Sequence, residues 1–290
     1  MNTIVIAEIG ENHYGRWDLC RGMVKQVATS GATYAKFQTY TANQFGSDHP
    51  WYHEFRSVEM PESVHFEMQS LCRELGVGFL SSTFTKRSTR FLVDRMGVDT
   101  LKLASSRVTD LALLGDVNQR ADQVRTVFLS TGMADLAEVT RAVDHLDRID
   151  SLWLLHCTSQ YPADDGNVHL RAMLGLKQAF PDLKVGFSDH SRGSDACIAA
   201  VALGAQVVEK HFTFHTGMPG DDHSGSATPE MLSDLVHRIS RIEAMLGSPE
   251  IGRCASEERA VNALRVEMLE VDFDEREYPP GHPIPPVDKG

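Results

Sequence analysis

VGFSDHS at positions 185–191 and VVEKHFT at 207–213 each form a strand-like run that ends in a histidine, His190 in the first and His211 in the second. Between them ACIAAVALGA (196–205) places apolar residues at helical spacing and closes near a glycine. Strand, helix, strand is the unit of a parallel sheet. In α/β barrels the carboxyl ends of such strands carry the chemistry, and two imidazoles delivered there can share one divalent metal.

The same alternation recurs along the chain. Short apolar runs begin at Thr3 (TIVIAEIG), Tyr34 (YAKFQTY), Val77 (VGFLSST), Thr100 (TLKLASS), Thr126 (TVFLSTG), Ser151 (SLWLLHCT), Lys184 (KVGFSDH) and Gln206 (QVVEKHF). Near-continuous apolar strands separated by amphipathic helices indicate a parallel sheet covered on its faces, and eight such units fill about 250 residues as one closed barrel. The expected fold is therefore α/β, a (β/α)8 TIM barrel over 1–247, with a doubly wound open sheet as the alternative. The stretch 228–247 reads as the eighth barrel helix, with Thr228 as N-cap, Pro229 at the first helical position and Gly247 as its stop. Residues 41–63 form an unusually long connection after the second strand and are expected to act as a lid. Residues 248–290 are expected to be an extension ending in the Pro-rich tail REYPPGHPIPPVDKG (276–290).

Composition narrows the function. The 290 residues are 42% hydrophobic and 23% charged, ordinary values for a globular protein. A formal net charge of -12 argues against nucleic acid or an anionic membrane as partner. Five widely spaced cysteines suit a reducing compartment, and strand-like sequence from Thr3 leaves no room for a leader, so a cytoplasmic protein is expected.

If the barrel forms, polar residues at the strand ends converge on one mouth. The first strand supplies Glu8, with Asn12 and His13 beyond; the second Lys36 and Gln38; the third Ser81 and Ser82; the fourth Lys102, Ser105 and Ser106. The fifth supplies Ser130 and Thr131, the sixth Thr158, Ser159 and Tyr161, and the last two Ser188, His190, Glu209 and His211. A single strand-end serine is usually a turn former, but a ring of hydroxyls with two lysines suits an anionic substrate. Lys36, Lys102 and Glu8 lie in runs that should be buried, where an unpaired charge is costly. Cys157 reads as a small core residue. Asp189 and Lys210 alternate away from the histidines and are expected to pair with the helical layer.

The motifs IAEIGENHYG (6–15), AKFQTY (35–40), LSTGM (129–133), LLHCTSQYP (154–162), FSDHS (187–191) and EKHFT (209–213) followed by PGDDHSGS (219–226) together resemble the N-acetylneuraminate (sialic acid) synthase family. The resemblance spans about Ile4 to Leu246. It implies a barrel enzyme that condenses phosphoenolpyruvate with the aldehyde of an N-acetylhexosamine, and a homodimer. It implies His190 and His211 as ligands of manganese or magnesium, and Glu8 beside the reacting carbons. It assigns phosphoenolpyruvate contacts to Lys36, Ser82, Lys102, Ser105, Ser130, Ser159 and Ser188, and acceptor contacts to Gln38, Tyr161 and Asp222. Two departures stand out. Arg107 occupies a position where the family carries an acceptor-binding glutamate, which points to a different acceptor, a phosphorylated sugar or a non-sugar aldehyde, or else to a pairing with Asp110. The residues after Gly247 are also too few for the antifreeze-like domain that most of the family appends, so a binding subunit without activity is the remaining alternative.

Overall fold

The structure, a computed structural model, describes residues 3–266. Eight parallel strands close into a barrel in sequence order: β1 (Ile4–Glu8), β2 (Tyr34–Thr39), β3 (Gly78–Thr83), β4 (Thr100–Leu103), β5 (Thr126–Ser130), β6 (Ser151–His156), β7 (Lys184–Asp189) and β8 (Val207–His211). All eight expected strands form, and β8 pairs with β1 to close the sheet, which excludes the open alternative. The chain divides into two compact units, Met1–Gly247 and Ser248–Gly290. The described part of the second contains a short helix at Glu258–Leu264, and the Pro-rich stretch 276–290 lies outside the described residues.

Alternation along each strand sorts side chains into two cores. Val5, Ala7, Ala35, Phe37, Leu101, Leu103, Val127 and Leu129 point outward and are buried beneath the helices. The inward set begins apolar, with Ile6, Leu80, Phe128, Trp153, Leu155 and Val207 filling the barrel interior. One position further along several strands the inward residues turn polar. The plug therefore floors the mouth and excludes water from beneath the charged layer. Gly186 is required here, because a Cβ on it would lie 2.3 Å from the backbone carbonyl oxygen of Val207 on the neighbouring strand.

The outer helices follow the expected signals. The helix Trp17–Ser30 ends at Gly31, whose φ of 81° is left-handed, and Pro229–Leu246 opens on Thr228, whose side chain accepts from the Met231 amide at 3.4 Å. The long 41–63 connection is folded, with a 3-10 turn at Ala42–Gln44 and a helix at Tyr52–Val58. It is anchored by the Ala42 amide donating to Glu59 at 2.7 Å, and by Phe45 and Phe55 packed around Tyr40. Asp189 and Lys210 pair with each other, at 2.8 Å and fully buried, and the Ser191 amide and hydroxyl donate to the second Asp189 oxygen. Among the described residues no helix is long and apolar enough to cross a membrane.

Candidate active site

Register explains which charges meet. Glu8 sits level with Lys36 on one side and His211 on the other, Gln38 with Ser82, Ser82 with Lys102, and Ser188 with Glu209. All of these face the mouth, so four ionisable groups from β1, β2, β4 and β8 converge. Lys36 Nζ lies 2.8 Å from Glu8 Oε2 and 3.7 Å from Glu209 Oε1, and Lys102 Nζ lies 3.5 Å from the same Glu209 oxygen.

Hydroxyls and one amide complete the cluster. Lys36 donates to Ser82 Oγ at 3.0 Å, Lys102 to Ser130 Oγ at 2.7 Å, Ser188 to Glu209 Oε1 at 3.0 Å, and Gln38 to Glu8 Oε1 at 3.1 Å. Ser105 and Ser159 share a hydrogen bond of 3.0 Å between the ends of β4 and β6. Gly132 allows this close approach, because a Cβ there would meet Ser159 Oγ at 2.6 Å and Cys157 Sγ at 2.7 Å. Cys157 is buried, and burial pushes its thiol pKa up although Lys102 opposes, so it sits in the wall as a neutral thiol.

Burial sets the electrostatics. It would push Lys36 down, but Glu209 and Glu8 outweigh it and hold the ammonium above its ordinary value. Lys102 falls below its ordinary value because burial wins, with Glu209 opposing and the Lys36 ammonium adding to the depression. Burial likewise disfavours the Glu209 carboxylate, yet Lys102 and Lys36 hold it well below the usual carboxylate range. Glu209 Oε2 is buried with no hydrogen-bond partner among the described residues. The two lysines retain N–H groups beyond those given to the serines, so the cluster can receive an anion.

Beside this cluster the two histidines stand with ring centroids 5.5 Å apart, and Tyr161 packs on His190 at 4.2 Å. With Asp221, Asp222, Pro162 and Gly225 they line a cavity of about 10 Å³. That is room for one small group such as a water or an ion. His190 Nδ1 lies 2.7 Å from the Thr158 carbonyl. A carbonyl only accepts, so Nδ1 carries the proton and Nε2 keeps its lone pair. Burial, reinforced by His211, pushes the His190 pKa down to about 4, which keeps the ring neutral. His211 Nδ1 lies 3.3 Å from Asp222 Oδ2, within ion-pair range but not aligned as a hydrogen bond. Burial would lower the His211 pKa, but Asp222 outweighs it and raises it.

This donor chemistry fits a divalent cation. Two neutral-capable imidazoles backed by oxygen acceptors surround an ion-sized space, the arrangement in which outer-shell oxygens orient metal-binding histidines. Asp221 and Asp222 share the cavity lining, yet among the described residues no group of three or more His, Cys, Asp or Glu is placed to hold a metal ion by itself. A cation held by the histidine pair would thus keep positions for substrate or water oxygens, as catalytic rather than structural sites do.

The sequence-derived residues fall into three sets. Glu8, Lys36, Gln38, Ser82, Lys102, Ser130 and Ser188 form one contiguous cluster, Ser105 and Ser159 a pair beside it, and His190, His211, Tyr161 and Asp222 the adjoining cavity. Arg107 joins none of them. It lies in the turn Ser105–Arg107, its Nε is buried with no partner among the described residues, and its Nη1 is 3.8 Å from Asp110 Oδ2. Two mouth residues received no role from the sequence. Glu209 stands two residues before His211 and therefore on the same face, a legible signal, whereas Glu11 lies in the loop after β1 and is marked only by its partner, Tyr40.

A closed (β/α)8 barrel whose mouth joins a lysine, carboxylate and hydroxyl cluster to a histidine pair has the layout of a barrel enzyme, with donors at its mouth that suit an anion. The particular family follows from comparison. Residues 23–250 match the NeuB family, and the chain belongs to it. It is 34% identical over 286 residues to the N,N'-diacetyllegionaminic acid synthase of Campylobacter jejuni, covering 92% of this chain and 84% of that one. It is 32% identical over 260 residues to the N-acetylneuraminate-9-phosphate synthase of Homo sapiens, covering 84% and 71%. The crystal structure of the N-acetylneuraminic acid synthetase of Leptospira borgpetersenii in complex with citrate superposes with a TM-score of 0.84 at 30% identity, over 92% of this chain and 94% of that one. The chain is accordingly an enzyme of the synthase class.

Proposed function

We propose that this enzyme condenses phosphoenolpyruvate with the aldehyde of an open-chain N-acetylhexosamine, N-acetylmannosamine-like, to give a 2-keto-3-deoxy sugar acid and inorganic phosphate. The observation that carries the proposal is the buried cluster of Lys36, Lys102, Ser82, Ser130 and Ser188 beside Glu8 and Gln38. It combines donors for a doubly anionic substrate with a carboxylate and an amide for the acceptor.

In the reaction C3 of the enol attacks the aldehyde carbon, the carbonyl oxygen becomes a hydroxyl, and C2 is left cationic. Water adds to C2, and the C–O bond to phosphate breaks as the ketone forms. Lys36 and Lys102, with the serines including Ser105 and Ser159, hold the phosphate and carboxylate and align C3 with the acceptor. Glu8, 2.8 Å from Lys36 Nζ, stays beside the reacting carbons to stabilise the cation at C2 or take a proton from the attacking water. Gln38, Tyr161 and Asp222 orient acceptor hydroxyls. His190 and His211 would hold manganese or magnesium, which supplies Lewis-acid polarisation of the aldehyde oxygen. Homodimeric assembly and a cytoplasmic setting belong to the same reading; the free Cys20, Cys72, Cys157, Cys197 and Cys254 suit a reducing compartment.

One observation favours a second acceptor class. The partnerless buried Nε of Arg107, and an Asp110 whose other oxygen already accepts from the Leu113 amide, leave guanidinium donors for a phosphate or carboxylate on the acceptor. Phosphate release from phosphoenolpyruvate, measured with manganese across neutral and phosphorylated aldoses, tests both. Turnover with N-acetylmannosamine supports the first reading, turnover confined to anionic aldoses supports the second, and none with any aldose rejects condensation onto a sugar.

A further inference from the structure

We infer that Glu11 is a specificity-determining residue of the acceptor subsite, its free carboxylate oxygen accepting a hydrogen bond from a hydroxyl of the sugar aldehyde. The inference rests on the condensation reading above, and it concerns a residue outside the cluster, the serine pair and the histidine cavity.

The geometry has two parts, a fixed oxygen and an open one. Tyr40 donates its phenol to Glu11 Oε1 at 2.5 Å. The Tyr40 ring is itself immobilised, 5% exposed and met edge-on by Phe45, Phe55 and Phe84 at centroid distances of 5.4, 5.7 and 5.6 Å. This aromatic cage spends a buried phenol on orienting one carboxyl group, which is costly unless the orientation matters. Among the described residues no group donates to the other oxygen, Oε2, and it is not one of the fully buried atoms that lack a partner, so it is open to an incoming group.

Position and charge place that oxygen in the acceptor half of the mouth. Glu11 follows β1 by three residues, on the loop that leaves the barrel at Glu8. The charges that act on it are those of Asp222, Glu8 and His211, all at the mouth. Among the described residues no lysine or arginine forms an ion pair with it. A glutamate that merely tied two loops together would sit in solvent or use both oxygens. Burial, partly offset by Tyr40 and reinforced by Asp222 and Glu8, lifts its pKa to about 7, a perturbation of the kind that accumulates at working sites. The mouth is thereby divided, with ammonium and hydroxyl donors around Lys36 and Lys102 for the anion, and carboxylate acceptors Glu8, Glu11 and Asp222 for a polyol.

The test is two-substrate kinetics on the full-length wild type and on Glu11→Leu, Glu11→Gln and Tyr40→Phe, with N-acetylmannosamine and its 6-phosphate as acceptors, together with calorimetric titration of the same acceptors. Assayed at about pH 8, above the Glu11 pKa of about 7, Glu11→Leu is expected to raise the acceptor KM, and weaken acceptor binding, by about ten- to hundredfold, the loss of one hydrogen bond to a charged group. Its KM for phosphoenolpyruvate should stay within about twofold of wild type, since that substrate is held elsewhere. Glu11→Gln, whose amide oxygen still accepts, should recover most of the loss, and Tyr40→Phe should fall between. An acceptor KM unchanged in Glu11→Leu, or a parallel rise in both KM values, overturns the assignment while leaving condensation intact. A wild type that neither releases phosphate nor binds either acceptor rejects the condensation reading and this inference with it. A melting temperature for each variant separates these outcomes from misfolding.

Discussion

Replacing Glu209 with glutamine tests whether this carboxylate is what allows two lysines to stay charged inside the barrel. Its Oε1 lies 3.7 Å from Lys36 Nζ and 3.5 Å from Lys102 Nζ, and all three side chains are 5% exposed or less. At an effective dielectric of about 20 each attraction amounts to about 4–5 kcal/mol. Removing the charge also relieves the carboxylate of its own desolvation penalty, worth several kcal/mol. The amide keeps the shape and can still accept from Ser188, so packing changes little. The net expectation is a loss of about 3–5 kcal/mol, the range found when one partner of a buried ion pair is removed. Urea denaturation of wild type, Glu209→Gln, Lys102→Met and the double variant at one pH provides the measurement. Because Lys102→Met removes the charge that Glu209 compensates, the double variant should be less destabilised than the sum of the singles, with a coupling of at least about 1.5 kcal/mol. A coupling below about 0.5 kcal/mol would refute the reasoning, since additivity means that the charges do not interact.

Three further outcomes are expected. Glu8→Gln should abolish phosphate release while phosphoenolpyruvate still binds by calorimetry; retained turnover would remove Glu8 from the chemistry. Lys210→Met should cost about 3–5 kcal/mol in urea denaturation because it strands the fully buried Asp189 carboxylate, and adding Asp189→Asn should recover part of the loss; a neutral Lys210→Met would show that Asp189 has adequate support from Ser191 and the Cys197 thiol. His65 is 1% exposed, with Nδ1 on the Pro61 carbonyl at 3.1 Å and Nε2 on Thr39 Oγ1 at 2.9 Å, and burial pushes its pKa down to about 4. A folded pKa below the unfolded value of about 6.5 means that its contribution is complete above pH 6.5 and is lost as pH falls from 6.5 to 4, by up to about 3 kcal/mol, so His65→Asn should flatten the fall in urea midpoint over that window.

The fold was legible because the strands are continuous apolar runs of the parallel, doubly covered kind, and inward residues follow from a period of two. Ile6 with Glu8, Leu80 with Ser82, Phe128 with Ser130 and Val207 with Glu209 can be read from alternation as inward pairs. What alternation does not contain is register. That Lys36 meets Glu8 rather than another carboxylate depends on the pairing of β1 with β2, and that Glu209 stands between both lysines depends on closure of β8 onto β1. The helix Tyr52–Val58 was hidden for another reason. It is seven residues long and its N-cap residue, Trp51, makes no side-chain cap, so it has little intrinsic stability and forms through the packing of Phe55 against Tyr40 and Phe45. Glu11 escaped likewise, since only the fold brings it to Tyr40.

The same register explains how the mouth can accept an anion without a large electrostatic change. Two ammonium groups and two carboxylates sit above an apolar floor, a formally balanced set in which Lys36 and Lys102 are already stripped of bulk water. Building such a set costs stability, and that cost is met during folding rather than at binding. An incoming phosphate or carboxylate then exchanges places as a partner of groups that are already dry, and the fixed donors need little reorganisation when charge moves. Glu209 therefore works in the proposed reaction by holding the lysines protonated and in place until substrate arrives. A phosphoenolpyruvate affinity that falls in Glu209→Gln as Lys102 loses its proton, and recovers as the pH is lowered, follows from this division of labour; an affinity that simply rises with the loss of a negative charge would contradict it.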